Sequence, residues 1–288
     1  MIRRILAALS FALVALPLGA RAQTLDIESA RAQAMGGAFR ALGFDNSAIE
    51  MNPAGLGQFK KVEIEPGYYR TQDAREYAMD ISISDSITNA AGTGFAFEYR
   101  KVKPDPLGNG GFQSTRYVLA TGIPVIPDSA WIGLNWKYYK VDYTDATLKD
   151  AKGYTSGFGV LYRPIQIVAL GFSFDNLING NQKEAPRSLT GGAAVLPAEW
   201  FAASFDVFSD LASTNQEKTG WAGGVQLSPT HAVALRGGLY KEALTGKQVW
   251  TGGIGFIADN ATIDYAMRIP DGGTKIVSHF VTVSILVF

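Results

Sequence analysis

Two histidines, His231 and His279, are the side chains in this sequence whose type comes nearest to catalysis or metal binding. Neither has a nucleophile pattern nearby, so we interpret His231 as a solvated turn residue and His279 as a strand residue in a wall. The carboxylates are spread over separate segments without metal-ligand spacing, and the chain has no cysteine. We therefore expect no enzyme activity, no metal site and no cofactor.

A second kind of chemistry belongs to charged side chains that would face the inside of a closed sheet. They alternate with large apolar residues and comprise Asp80, Glu98, Arg100, Lys137, Asp206, Arg236, Asp264 and Arg268. Such charges either line a pore and set its selectivity, or pair with one another and with a second segment to close it. We favour closure, because an irregular N-terminal segment inside a barrel would need polar partners.

The segments that must position these residues alternate with a period of two. Between residues 77 and 84, Tyr77, Met79, Ile81 and Ile83 form one face, and small or polar residues form the other. About fourteen such segments fit into residues 61–288, at ~9–11 residues per strand plus a turn. The sequence predicts an all-β fold, a transmembrane antiparallel up-and-down β-barrel of about 14 strands with a short N-terminal helical hatch or plug.

The alternative is a secreted β-sandwich or another soluble barrel. A sandwich would carry Lys, Glu, Thr and Gln on its outer face, whereas the second face here is mostly Gly, Ala and Ser. Aromatic residues near the segment ends also suit interfacial girdles. These aromatics are Tyr68, Tyr69, Tyr117, Trp131, Trp200, Trp221, Tyr240 and Trp250.

Tight turns and longer links alternate between the segments. Turns, mostly with proline, are predicted at residues 124–128, 163–165, 197–198, 228–229 and 259–260. Polar links are predicted at residues 103–112, 142–152, 179–187, 209–218 and 271–273. Short turns at one rim and longer loops at the other are typical of outer-membrane barrels, and both ends of the barrel then lie at the short-turn rim.

The N-terminus has the pattern of a secretory signal peptide. Arg3 and Arg4 precede a mostly apolar run, and the triplet Ala20-Arg21-Ala22 follows it. We expect residues 1–22 to be removed, residues 23–60 to form a hatch, and residues 61–288 to form the barrel. Export to the bacterial outer membrane makes lipid and the barrel assembly machinery the expected partners. A formal charge of zero without a basic tract argues against a nucleic-acid partner.

The hatch contains a group of short motifs rich in Gly, Pro and Asn. Residues 34–38 and 45–48 precede the pentapeptide Asn52, Pro53, Ala54, Gly55 and Leu56. Together these motifs resemble the N-terminal hatch signature of the FadL superfamily of outer-membrane barrels. Residues 170–177 and 262–266 are similar to late-barrel patterns of its PorV/PorQ-type branch. The resemblance implies a fourteen-stranded barrel over most of the mature chain, although the loops and the chain are short for that superfamily.

Two functions agree with this resemblance. The first, which the short loops and a filled lumen favour, is an accessory or docking barrel of PorV/PorQ type for exported or surface proteins. The second is a FadL-type channel for long-chain fatty acids or other hydrophobic compounds, with Gly237-Gly238 and Gly252-Gly253 as candidate exits through the wall. The pentapeptide from Asn52 to Leu56 is either a gating hatch or a rigid turn.

The last strand ends on Phe288, and both of its faces are apolar. Phe288 and Leu286 fall on one face with Phe280, whereas Val281, Val283 and Ile285 fall on the other. If Phe288 points to lipid, the valines point inward. We then expect a dry lumen at the closing seam, which opposes an open porin.

Overall fold

The computed structural model describes residues 29–104, 110–146, 148–178, 181–182, 184–211, 219–241, 246, 248–271 and 276–287. The predicted signal peptide and the terminal Phe288 lie outside these ranges. No helix in the described ranges is both long and apolar enough to cross a membrane.

Fourteen antiparallel strands close into a barrel, which confirms the predicted fold class. The strands are β1 (Val62–Thr71), β2 (Glu76–Asp85), β3 (Gly92–Val102), β4 (Phe112–Ile126), β5 (Ala130–Tyr143), β6 (Ala151–Ile165), β7 (Val168–Asp175), β10 (Ser188–Ala198), β11 (Phe201–Asp210), β12 (Thr219–Thr230), β13 (Val233–Lys241), β14 (Gln248–Ile257), β15 (Ala261–Pro270) and β16 (Ser278–Val287). A two-stranded ribbon of β8 (Asn181–Gln182) and β9 (Ala185–Pro186) lies between β7 and β10. Each barrel strand pairs with its neighbour in the chain, and β1 pairs with β16 to close the sheet.

The two rims differ in the length of their connections, as predicted. One rim, the turn rim, carries connections such as residues 127–129, 166–167, 199–200 and 231–232. At the opposite rim, the loop rim, links of nine, seven, twelve and eight residues separate β3 from β4, β5 from β6, β7 from β10 and β11 from β12. The first strand begins at the turn rim and the last described residue of β16 returns there.

At four of the predicted proline turns, the proline itself lies at an irregularity near the end of a strand and the turn follows it. The pairing register shifts beside Pro124, Pro164, Pro197 and Pro229, and the chain reverses one to three residues later. Proline has no N–H for the ladder, so it is tolerated where a bulge interrupts regular pairing. The prolines therefore end the regular ladder rather than forming the turn itself.

Alternation along each strand separates an apolar outer face from a buried inner face. On β5, Leu134 and Trp136 are 55% and 48% exposed, whereas Asn135 and Lys137 are 3% and 4% exposed. Large apolar groups thus cover the outside of the wall, as a lipid-facing surface requires.

Part of the predicted aromatic girdle lies inside the barrel. Tyr68, Tyr117, Trp200 and Trp250 are exposed on the outer face, as expected for a girdle. Trp131 is buried, however, and packs against Ala54 and Leu161. The Tyr69 ring lies 4.6 Å from that of Phe280 on the inner face. The strand register, rather than nearness to a strand end, decides which side an aromatic residue faces.

The expectation of a dry closing seam is wrong. Thr282 and Ser284 are buried on the inner face of β16, whereas Val281 and Ile285 are 38% and 43% exposed outside. Pairing of Ile64 with Ile285 sets this register, because both side chains then lie on the outer face. The Ser284 hydroxyl accordingly donates to the carboxylate of Glu65 at 2.5 Å inside the lumen.

The N-terminal segment folds into short helices within the lumen. Helix α1 (Ala30–Ala34) begins after Ser29, whose hydroxyl caps the N–H of Ala32 at 3.2 Å. Helix α2 (Ala48–Met51) leads into a 3-10 helix (Pro53–Gly57) with proline at its first position. We call residues 29–60 the plug.

Candidate functional site: the plug and its charged wall

The plug rests directly on glycines of the inner wall. A Cβ atom at Gly224 would lie 2.7 Å from the Cα of Met35, and one at Gly238 would lie 2.5 Å from the backbone nitrogen of Gly36. A Cβ at Gly253 would lie 2.7 Å from the Cβ of Ala34. These distances are too short for any side chain, so the small inner face is needed for the plug backbone to approach the wall.

Asn52, the first residue of the predicted hatch motif, joins the plug to the wall. Its side-chain amide donates to the carbonyl of Arg40 at 2.8 Å and to that of Val160 on β6 at 3.0 Å. Its side-chain oxygen accepts from the N–H of Ala54 at 3.3 Å. One buried side chain thus satisfies three backbone groups in three different segments.

The other motif residues are buried against the turn-rim half of the wall. Pro53, Ala54 and Gly55 are fully buried, and Leu56 is nearly so. The motif therefore lies inside the barrel, in contact with β4, β5 and β6. Its role as a gate stays a prediction.

Glu50 of α2 is the centre of a chain of ion pairs. Its carboxylate lies 3.0 Å from the guanidinium of Arg116 on β4 and 3.3 Å from the ammonium of Lys137 on β5. Arg116 also lies 3.5 Å from Glu98 on β3, and Lys137 lies 3.2 Å from Asp175 on β7. The plug thereby supplies a carboxylate that lies between the cation of β4 and the cation of β5.

The chain of charges continues along the wall toward the loop rim. Arg100 lies 3.6 Å from Glu98 and 3.5 Å from Glu76. Asn135 fixes the same part of the plug, because its amide donates to the carbonyls of Ile49 and Glu50 at 3.1 and 3.3 Å. Salt bridges and backbone hydrogen bonds therefore hold α2 at one point of the wall.

A second anchor lies on the opposite side of the plug. The Asp206 carboxylate of β11 accepts from the backbone N–H groups of Phe39 and Arg40, both at 3.0 Å. On β13 and β15, Arg236 pairs with Asp264 at 2.5 Å. Arg236 also donates to Gln226, whose amide oxygen lies 3.4 Å from Arg31 of the plug.

All eight charged residues singled out in the sequence lie on the inner face of the wall. Glu98, Lys137, Asp206, Arg236 and Asp264 are buried, whereas Asp80, Arg100 and Arg268 are half-buried. Arg268 lies near the loop rim, where it donates to the hydroxyl of Tyr240. Their contacts to one another and to the plug agree with closure of the lumen, and a role in ligand selectivity stays a prediction.

Sequence reasoning did not select four residues that complete the site. They are Glu50, Arg116, Asn135 and Asp175. The inner register of β4, which runs through Ser114, Arg116 and Val118, was a signal that could have identified Arg116. No local pattern identified Glu50, because its partners are brought to it only by the closed barrel.

Between these polar anchors the plug and the wall share apolar contacts. Met35, Phe39 and Leu42 pack with Ala169 and Ala194 of the wall. On the other side Ile49 and Leu56 pack with Ala96 and Val118. The interface between plug and wall therefore has an apolar centre on both sides.

A cavity of about 40 Å³ remains on the loop-rim side of Glu50. Glu50, Arg116, Lys137 and Asp175 line it together with Thr155.

Across the described ranges, no group of three His, Asp or Glu side chains is arranged to hold a metal ion. His231 is exposed in a turn, and His279 lies on β16, 2.8 Å from the hydroxyl of Tyr265.

The closed fourteen-stranded barrel of this chain is similar in fold to hydrocarbon transporters of known structure. The chain superimposes on the toluene transporter TbuX of Ralstonia pickettii with a TM-score of 0.68 and 13% identity, over 92% of this chain and 99% of that one. For the toluene transporter TodX of Pseudomonas putida, the TM-score is 0.62 and the identity is 13%, over 91% of this chain and 98% of that one. For the monoaromatic hydrocarbon channel CymD, the TM-score is 0.63 and the identity is 13%, over 90% of this chain and 96% of that one.

These similarities establish a shared fold, since the identities are low. Models of known protein families do not match the chain. Curated protein sequences do not match it either. The similarities agree with the FadL-type half of the sequence resemblance, and the PorV/PorQ branch stays a prediction.

Proposed function

We propose that this protein is a non-enzymatic channel of the bacterial outer membrane for the uptake of small hydrophobic compounds. The observation that carries the proposal is the plugged fourteen-stranded barrel, whose fold is shared over almost the whole chain with solved toluene transporters. Sequence reasoning ranked this function second, behind an accessory barrel. The structural similarity reverses that order.

The interface between plug and wall supports passage of an apolar compound. Apolar side chains such as Phe39 and Ile49 lie between the polar anchors on both sides of the plug. A compound without hydrogen-bonding groups could replace these contacts when the plug shifts, whereas it could not replace the buried ion pairs. Movement of the plug is therefore the step that uptake requires.

The wall is thin beside α1, where an exit is proposed. Gly237 and Gly252 pair across β13 and β14, and a Cβ atom at Gly237 would meet nothing within 4 Å. On the inner face, Gly238 and Gly253 contact the end of α1 and the residues after it. Displacement of this part of the plug would leave only backbone between the lumen and the lipid.

The proposal is tested by tethering the plug to the wall. Because the chain has no cysteine, Ala30→Cys combined with Ala266→Cys introduces a single possible disulfide between two residues of one buried cluster. Intact Gram-negative cells producing the protein should take up labelled toluene faster than cells carrying an empty vector. Oxidation of the tether should abolish the difference, and reduction should restore it.

A matched control keeps the disulfide but leaves the plug free. Ser29→Cys with Ser47→Cys joins two plug residues whose hydroxyl oxygens are 2.8 Å apart, and it should leave uptake unchanged. Uptake equal to that of vector cells, with a heat-modifiable barrel in the outer membrane, would contradict the channel. Uptake that persists through a verified tether would contradict plug movement.

The accessory barrel of PorV/PorQ type is the second candidate, favoured by the plug that fills the lumen. It requires a secreted or surface protein that purifies with the barrel in stoichiometric amount. Such a partner, together with toluene uptake no faster than in vector cells, would replace the channel proposal by this one.

Removal of residues 1–22 and insertion by the barrel assembly machinery are part of the proposal. N-terminal sequencing of the protein from outer membranes should begin at Gln23. A start at Met1 would contradict the signal peptide.

A further inference from the structure

We propose that the cavity beside Glu50 binds a small amphipathic amine, with its ammonium group on the floor of the cavity and its apolar part toward the loop rim. This inference rests on the proposed function, because it names the class of compound that the same lumen would bind before the plug moves. Toluene itself has no group that could use the polar floor.

The cavity is polar at one end and apolar at the other. Its floor is formed by Glu50, Lys137, Thr155 and Asp175, all of which are buried. Toward the loop rim, the cavity lining includes Tyr139, Val141 and Ala185, which form one apolar cluster. An occupant that satisfies both ends must itself be amphipathic.

Two buried oxygen atoms near the floor have no hydrogen-bond partner. They are the hydroxyl oxygen of Thr155, which is 1% exposed, and the side-chain oxygen of Asn135, which is 3% exposed. The orientation of the Asn135 amide follows from its two donor contacts to plug carbonyls. The Asn135 side-chain oxygen is therefore the atom without a hydrogen bond. Buried acceptors of this kind normally have a donor, and the Thr155 hydroxyl lies in the lining of the cavity, where a bound group could supply one.

The Asn135 oxygen and a carboxylate oxygen of Asp175 lie on either side of a glycine of β6. Gly157 pairs with Asn135 on β5, and a Cβ atom there would lie 2.6 Å from the Asn135 oxygen and 3.0 Å from a carboxylate oxygen of Asp175. Thr155 is two residues away on the same face of β6. An ammonium group, with three N–H donors, matches a floor whose acceptors are Glu50, Thr155 and Asp175.

The charge of the lining favours a cation over an anion. The lining contains four carboxylates, those of Glu50, Glu98, Asp175 and Glu184, and two cations, Arg116 and Lys137. Arg100 pairs with Glu98 from outside the lining, yet carboxylates still exceed cations. Glu184 contacts the Tyr143 hydroxyl at 2.8 Å at the loop-rim end. A ligand carboxylate would add to this excess of negative charge.

The test compares three ligands of similar size by calorimetry on the purified full-length barrel. Benzylamine carries a cation, toluene is neutral, and phenylacetate carries an anion. We expect benzylamine to bind at least about ten-fold more tightly than phenylacetate, since one hydrogen bond to a charged group accounts for a factor of about ten. Equal affinity for benzylamine and phenylacetate would overturn the proposal.

Two threonine variants locate the binding. Thr155→Val removes the unpartnered hydroxyl with little change of shape, and should weaken benzylamine binding by about ten-fold without changing toluene binding. Thr282→Val is the matched control, because Thr282 is buried on β16, outside the cavity lining, and its hydroxyl also has no partner. Both variants are checked for heat-modifiable migration, and an equal effect of the two on benzylamine would overturn the assignment to this cavity.

Failure of this inference is distinguishable from failure of the channel. Toluene uptake without preferential benzylamine binding would overturn the amine site alone. Benzylamine binding that depends on Thr155, in cells that take up toluene no faster than vector cells, would overturn the channel and keep the binding site.

Discussion

Replacing Glu50 by glutamine should release the plug while leaving the barrel intact. Glu50 is 2% exposed and is the only plug carboxylate within 4.0 Å of Arg116 or Lys137 among the described residues. Glutamine keeps the size of the side chain but removes its charge. The ladder hydrogen bonds of the wall do not involve this side chain, so the barrel should stay closed.

The size of the expected loss in plug stability depends on the carboxylates that Arg116 and Lys137 keep when Glu50 is replaced. Removing one member of a buried ion pair costs about 3–5 kcal/mol when the partner is left uncompensated. Here Arg116 keeps Glu98 at 3.5 Å and Lys137 keeps Asp175 at 3.2 Å. The expected loss is therefore closer to that of a charged hydrogen bond, about 1.5–3 kcal/mol, or a ten- to hundred-fold change in the opening equilibrium.

Hydrogen exchange measured by mass spectrometry checks this prediction in the purified barrel. Plug amides of Glu50→Gln should exchange about ten- to hundred-fold faster than those of the unmodified protein, while strand amides keep their protection. Glu98→Gln is the matched control, because Glu98 is also buried between two cations, Arg100 and Arg116, but both are in the wall. Unchanged plug exchange in Glu50→Gln, or an equal rise in Glu98→Gln, would refute the reasoning.

Three further predictions concern the plug contacts and the outer face. Gly238→Ala should destabilise the plug by about 1–3 kcal/mol through overpacking, whereas Gly237→Ala on the outer face should be neutral; equal urea midpoints for the two would contradict the plug contact. Asn52→Ala should cost about 2–3 kcal/mol in plug stability because buried carbonyls lose their donor. Asn52→Asp should not rescue it, since an ionised carboxylate cannot donate, and protease resistance of the plug in Asn52→Asp would argue against this account. Leu134→Lys should lower the stability of the barrel in lipid vesicles by about 2–4 kcal/mol, and an unchanged urea midpoint there would mean that this face does not contact lipid.

Local patterns were enough to predict the architecture of the wall. Alternation indicates a strand with two different faces, as Leu134 and Trp136 alternate with Asn135 and Lys137 on β5. It can be recognised without knowing which strands are the neighbours. The number of strands and the contrast between the rims follow from counting these segments. Proline positions were less informative, because Pro164 and its counterparts interrupt pairing one to three residues before the chain reverses.

The side that a strand presents to the lumen was harder to predict where both faces are apolar. In β16 the alternation of Phe280 and Thr282 with Val281 does not reveal which set faces inward. Pairing with β1 decides it, because Glu65 must lie inside and Ile64 outside. Trp131 differs, because the alternation of β5 already places it on the same face as Asn135 and Lys137, and only its nearness to a strand end suggested a girdle.

The sequence by itself determined that this protein is a β-barrel with an irregular N-terminal segment and an inner face of small and charged residues. Only the tertiary structure decided that α2 meets β4 and β5, so that Glu50 pairs with Arg116 and Lys137. The physical reason is separation along the chain. Alternation is a local property of each strand, whereas the plug contacts join residues brought together only when β1 and β16 close the barrel.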